Sequence, residues 1–321
     1  MEYKRIYNPY LSHSMFFKPE QMYGEDRKVF ENLPHIVNGN IYFLTERRKI
    51  RIDPDKSSLG AGGDLDIEFV LEGGQKNKAK IPIAPLFIDL GNIREVYENE
   101  DNLQNRIVVV PENVSSEELL NRAKKSNNVV ISLSTNKQPK KYISFDLYTP
   151  AGQTVDMHFS IHSILSKFEI DIGDYPKLLY IGKSGKLQNR IYKHEKIQQA
   201  LSQVDDESDI YLYAFQFDDQ YLTRVGLPDN KVIWERNVVN DISEEDKISL
   251  VEMTLINYFK PLLNSDFKNC DITKNETFVK ALQDRYTQLI LEVDHDGGFW
   301  NFGSDHIQPA LRHEIQFPVS T

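Results

Sequence analysis

The rhythm of apolar and polar positions is clearest between residues 160 and 264. Leu178 to Ile181 is a short apolar run that stops at Gly182, which predicts a buried strand entering a turn. A helix is expected from Leu187, and another over Ile161 to Phe168. Ile210 to Phe217 reads IYLYAFQF, apolar or aromatic at almost every position, as a strand covered on both faces requires. Ser243 then opens a longer helix. Ser243 and Asp246 form a capping-box-like pair, Glu244 and Glu245 in the first turn complement the helix dipole, and Pro261 ends the run.

On either side the pattern is shorter in wavelength. Ile41 to Leu44, Lys49 to Ile52, Asp66 to Leu71, Ile81 to Leu90, Val129 to Leu133, Tyr142 to Tyr148 and Val155 to Ser160 are strand candidates. Ser57 to Asp64, with three glycines, predicts a turn, and Glu117 to Lys125 a short helix capped by Ser115 or Ser116. Beyond 271, a helix over Glu276 to Tyr286 and a strand over Gln288 to Val293 precede a polar, Gly-containing tail. The pattern predicts an α/β (α+β) chain in three consecutive parts: a mixed N-terminal domain over 1–155, a small antiparallel sheet flanked by helices over 156–270, and an extension over 271–321.

Composition adds limits. The 321 residues are 40% hydrophobic and 27% charged, a mix that supports a packed core. No stretch approaches the ~18 apolar residues of a membrane span, and no secretory signal opens the chain. Cys270 is the only cysteine, which excludes an internal disulfide and a cysteine-rich zinc site and makes a reducing, cytoplasmic setting the expectation. The net charge of −10 argues against a polyanionic partner, because nucleic-acid affinity comes largely from Lys and Arg on phosphates. Its distribution argues the other way locally. Between Pro176 and Ala200, Lys177, Lys183, Lys186, Arg190, Lys193 and Lys196 stand against Glu195 alone.

Within that basic segment lies the one constellation that carries chemistry. Tyr180-Ile181-Gly182 is followed by Lys183, then by Arg190 and His194, which are four apart and share a helix face away from Leu187 and Ile191. Such a face offers a guanidinium and an imidazole to a phosphate. Glu252 lies in an apolar helix stretch, where a carboxylate is costly unless paired or metal-bound, and Asn264 follows twelve residues later. These residues and spacings resemble the GIY-YIG nuclease family over about 85–105 residues. The resemblance implies a metal-dependent endonuclease that hydrolyses phosphodiester bonds, with DNA as the expected partner. Glu252 would hold Mg²⁺ (or Mn²⁺), an ion that is satisfied by one or two carboxylates and water. Tyr180, Lys183, Arg190, His194 and Asn264 would complete the catalytic set, and Lys186, Lys193 and Lys196 would contact the nucleic-acid backbone. A phenol of ordinary pKa ~10 is a weak base unless a cation or metal-bound water assists it.

Each of these residues also has a plain reading: Arg190 and His194 as surface groups, Glu252 as a helix residue paired with a lysine, Tyr180 as core, Asn264 as a turn residue. The family also has an earlier strand bearing a Gly-x-Tyr element. The only Gly-x-Tyr here, Gly173-Asp174-Tyr175, stands too close to Tyr180 for a hairpin and reads as a turn. Strands ending at Tyr148 or containing His158, or the nearby His162, are the substitutes. That gap leaves two other expectations open: a catalytically silent nucleic-acid-binding or interaction protein on the same fold, and a defence or regulatory effector gated by its N-terminal domain. Gly182-Lys183-Ser184 is not a P-loop, since Lys177 stands where the first glycine is required.

Overall fold

The computed structural model describes residues 3–17, 39–60, 63–90, 106–110, 114–134, 142–184, 195–204, 206–226, 232–237, 241–295 and 300–319. In chain order the strands are β1 (Tyr3–Phe17), β2 (Ile41–Arg48), β3 (Ile50–Leu59), β4 (Asp64–Leu71), β5 (Lys76–Pro82), β6 (Ile107–Val109) and β7 (Val129–Leu133). They continue with β8 (Tyr142–Tyr148), β9 (Thr154–Ser160), β10 (Lys177–Lys183), β11 (Ser208–Gly226), β12 (Val232–Asn237), β13 (Gln288–Asp294) and β14 (Arg312–Pro318). The helices are α1 (Ile83–Leu90), α2 (Ser116–Ser126), α3 (Ile161–Lys167), α4 (Glu195–Gln203), α5 (Glu244–Phe259) and α6 (Glu276–Leu282). The chain is therefore mixed α+β. None of the described helices is long and apolar enough to cross a membrane.

The compact units do not follow the three consecutive parts expected from sequence. One unit is Met1–Arg47 with Asp174–Asp296 and Trp300–Thr321; the other centres on Arg48–Gly173. The second unit is thus inserted into the first, between β2 and β10. The reason is pairing: β2 bonds antiparallel to β10, far away in sequence, rather than to β3, which follows it directly.

In the first unit, seven described strands form a sheet in the order β10-β2-β11-β1-β13-β14, with β12 also on β11. This is larger than the small sheet expected. The pairs β10–β2, β1–β11, β11–β12 and β13–β14 are antiparallel, and β1 runs parallel to β13. Strand β1 escapes a period-two reading because Pro9 interrupts it. That proline faces Asp219 of β11 and lies outside the β13 pairs, which use Ile6, Tyr7 and Tyr10, so its missing N–H disturbs no ladder there. Neighbouring residues on a strand face opposite ways, and β2 shows it. Phe43 joins Phe215, Phe259 and Phe302 on one face, with ring centroids 4.6, 6.2 and 5.4 Å from its own. Tyr42 and Leu44 join Leu179, Leu212 and Ala214 on the other, beneath Ile197 and Ala200 of α4. Both faces of β11 are covered in this region, which accounts for its unbroken aromatic run.

Helix α5 begins as its sequence demands: the Ser243 hydroxyl accepts from the Asp246 N–H at 3.2 Å, and three acidic residues fill the first turn. It ends at Lys260, in the left-handed region at φ 51°, just before Pro261.

The inserted unit holds two sheets, β3-β4-β5 and β6-β7-β8-β9. Phe87 of α1, Phe145 and Phe159 pack at centroid distances of 5.0 to 5.8 Å in its core. The run Ile81 to Leu90, expected as a strand, is the end of β5 followed by α1. Pro85 falls in the first turn of that helix, where a missing N–H costs nothing. The β4-β5 pair is set by charge as well: Lys76 and Lys78 reach Glu68 at 3.2 and 3.7 Å, and Lys80 reaches Asp64 at 3.0 Å. Gln75 ties the two ends of the unit together, accepting from Arg48 Nη2 and donating to the Ile172 carbonyl, both at 3.2 Å.

Candidate active site

Strand β10 carries Tyr180-Ile181-Gly182 on one edge of the first unit's sheet. Its neighbour β2 carries a second tyrosine beside it. Tyr42 is the register partner of Gly182, and its ring lies 5.9 Å from that of Tyr180, tilted by 42°. Gly182 is required by this contact. A Cβ there would stand 2.5 Å from Cζ and Oη of Tyr42 and 2.8 Å from Cε1 of Tyr180. Tyr42 is fully buried, while Tyr180 keeps partial exposure. Tyr148 and His158, the other candidates, lie on β8 and β9, which pair with each other in the inserted unit.

The local signal for Tyr42 was weak. The glycine before it is Gly39, so the element reads Gly-x-x-Tyr rather than Gly-x-Tyr, and the whole inserted unit separates it from Tyr180. Ile41-Tyr42-Phe43-Leu44 as an apolar strand was legible; its pairing partner was not.

Helix α5 and the turn after it close the free edge of β10. A strand at a sheet edge leaves alternate N–H and C=O groups pointing outward. At Ile181 both are taken by one side chain: Asn264 Oδ1 accepts from the Ile181 N–H at 2.9 Å, and Asn264 Nδ2 donates to the Ile181 carbonyl at 2.8 Å. The amide thus substitutes for a missing strand residue. Two positions on, the Lys183 N–H donates to Glu252 Oε1 at 3.0 Å. Lys183 Nζ stands 3.4 Å from Glu252 Oε2 and donates to Ser249 Oγ at 2.7 Å. The Glu252 side chain retains 14% exposure. Leu263 N–H adds a bond to the Leu179 carbonyl at 2.8 Å. The structure therefore gathers Tyr180, Lys183, Glu252 and Asn264 around β10 and adds Tyr42 and Ser249.

Arg190, His194, Lys186 and Lys193 lie outside the described residues. Lys196 is in the first turn of α4, donating to Gln199 Oε1 at 3.0 Å. Lys177 is paired with Asp305 at 2.7 Å; this hydrogen bond outweighs partial desolvation and holds its pKa above the ordinary lysine value. Among the described residues no group of three or more His, Cys, Asp or Glu could hold a metal ion.

Where the chain leaves and re-enters this hairpin, Arg47 grips Asp174. Its Nε meets Asp174 Oδ2 at 3.1 Å, its Nη2 donates to the Asp174 carbonyl at 2.7 Å, and its side chain is fully buried. This fork does the work of a turn: it fixes β2 against β10 at the point where a two-residue loop would normally set the register.

No protein-family model, no curated protein and no solved structure matches the chain.

Proposed function

We propose that the first unit is a metal-dependent phosphodiester hydrolase of GIY-YIG type that cuts nucleic acid, with DNA as the favoured substrate. The observation that carries this reading is the pairing of Tyr42 with Tyr180 across β2 and β10, with Glu252 and Lys183 at the end of the same strand. Adjacent strands each bearing a tyrosine are what the sequence resemblance calls for, and the closeness of Tyr42 to Tyr180 supports assigning it that role.

The residues present fit a divalent ion of the magnesium class. The Glu252 carboxylate takes the Lys183 N–H on Oε1 at 3.0 Å and the Lys183 ammonium at 3.4 Å from Oε2, and it is of the oxygen type that an ion of this class takes along with water. Such an ion, when bound, acidifies water and offsets negative charge on a phosphoryl oxygen. The chain's own groups do the rest. Tyr180, the more exposed phenol, faces the reacting water, and Tyr42 beneath it fixes its ring. Lys183 offers its ammonium to a phosphate oxygen. Asn264 holds β10 in place through Ile181. Arg190 and His194 are assigned to the scissile phosphate, and Lys186, Lys193 and Lys196 to the backbone, on the resemblance alone.

A second reading has an observation of its own. Glu252 and Asn264 both spend their polar atoms on the edge of β10, which is what a silent descendant of the fold would retain for stability. Plasmid nicking separates the two. With Mg²⁺ or Mn²⁺, wild type is expected to cut and Glu252→Gln to lose at least a hundredfold in rate, while chelator abolishes cutting. Equal cutting by the variant rules out the assignment of Glu252, and no cutting by wild type favours the silent protein.

A further inference from the structure

One residue engages both oxygens of the Glu252 carboxylate. Lys183 gives its backbone N–H to Oε1 and sets its ammonium near Oε2, 3.4 Å away. The same ammonium has a shorter contact, 2.7 Å, with Ser249 Oγ. Ser249 is one turn before Glu252 on α5, so both side chains share a face that β10 meets. Its hydroxyl proton is committed to the Glu245 carbonyl at 2.7 Å, which leaves its lone pairs toward the ammonium.

A carboxylate with so little exposure needs a counter-charge before any metal arrives, and Lys183 supplies it. A divalent ion and an ammonium repel strongly at such separations, even at the effective dielectric of a protein surface. We propose that Lys183 is a built-in competitor for the cation at Glu252, and that Ser249 is a positioning residue that keeps hold of the ammonium once the ion takes Oε2. The movement required is small. The long contact to Oε2 opens, the short bond to Ser249 stays, and Oε1 remains on the Lys183 N–H. The ammonium then stands beside the ion rather than on its ligand, one turn of α5 away. This rests on the metal reading of Glu252 given above.

The competition has a signature that structural damage cannot imitate: removing Lys183 tightens metal binding. Titration of the full chain with Mn²⁺, reading free aquo-Mn²⁺ by electron paramagnetic resonance, measures this without reference to cutting. An ion pair of this partial exposure, lost to a divalent competitor, corresponds to about a two- to fivefold lower Kd in Lys183→Met. Ser249→Ala throws the ammonium back onto Glu252 and raises Kd about two- to fivefold. The double variant binds like Lys183→Met alone, because Ser249 acts only through the ammonium. Equal or weaker binding by Lys183→Met overturns the proposal, as does a Ser249→Ala effect that persists without Lys183. Failure of the underlying reading looks different: Mn²⁺ binding by wild type that is absent, or that Glu252→Gln leaves unchanged, removes the metal site and the competition with it.

Discussion

Gly182→Ala is the sharpest test of how the two tyrosines are packed. The added methyl would stand 2.5 Å from Tyr42 and 2.8 Å from Tyr180, where ordinary contact begins near ~3.4 Å. Tyr42 is fully buried under Ile197 and Ala200 of α4 and has no room to retreat. Overpacking of this kind costs about 1–3 kcal/mol. Set against it is the gain of about 0.5–1 kcal/mol that alanine brings over glycine in a strand. The two terms separate in a cycle with Tyr42→Leu, which removes the ring. In that background Gly182→Ala should be neutral or stabilising, giving a coupling of about 2 kcal/mol between the positions. Tryptophan fluorescence makes the readout specific. The chain has two tryptophans, Trp234 and Trp300, and both belong to the first unit. Urea unfolding followed this way reports the first unit without signal from the inserted one. The mid-range cost less the mid-range gain is about 1.2 kcal/mol, so with m near ~2 kcal/mol/M the single variant should lose about 0.6 M in midpoint. An unchanged midpoint, or the same loss with and without the Tyr42 ring, refutes the packing argument.

Asn264→Ala should free both outward groups of Ile181 at a cost of about 1–2 kcal/mol, since part of each bond is regained from water. Hydrogen exchange at the Ile181 amide should speed up roughly five- to thirtyfold, with amides of β13 unchanged; uniform acceleration across the sheet would point to global loss instead. Acid should weaken the first unit through His313. Burial lowers its pKa, only partly opposed by hydrogen bonds to the Phe302 and Ala310 carbonyls, and Tyr258 Oη stands 3.2 Å from its Nδ1. With a folded value below the unfolded one of ~6.5, the unfolded state binds the extra proton in between. That stability is complete above ~6.5 and is lost as pH falls toward and through the folded value. The urea midpoint should therefore drop between pH 7.5 and 5.5, and His313→Gln should flatten the drop; an equally steep profile in the variant would exonerate His313.

What the sequence made legible was local. Helix α5, with Ser243 at one end and Pro261 at the other, needs only neighbours within a turn to declare itself, and Glu252 and Asn264 are placed by it. The strand ending at Gly182 was legible because its apolar run is short and sharply closed. Three things were hidden, each for a reason of range or ambiguity. Tyr42 depended on a strand pairing that skips an entire unit. The run Ile81 to Leu90 is apolar throughout, so its period cannot be read, and only Pro85 hints at a first helical turn. Strand β12 (VIWERN) runs three apolar residues into three polar ones, and β14 (RHEIQFP) has only Ile315 and Phe317 as large apolar residues, so neither is long or apolar enough to declare itself before its partner is known. The role of Asn264 belongs with these: a side chain that impersonates a strand is invisible until the strand's outer edge is seen.

The inserted unit also dictates an order of events during folding. Closing a loop as long as Arg48–Gly173 before its contents are ordered costs roughly 3 kcal/mol more than closing a short turn, by the logarithmic dependence on loop length. Folding of the unit offsets that cost, and the Gln75 side chain, bridging Arg48 and Ile172, helps to hold its two ends side by side. On the ribosome, β1 and β2 emerge before their partners β11 and β10, with the whole inserted unit synthesised in between.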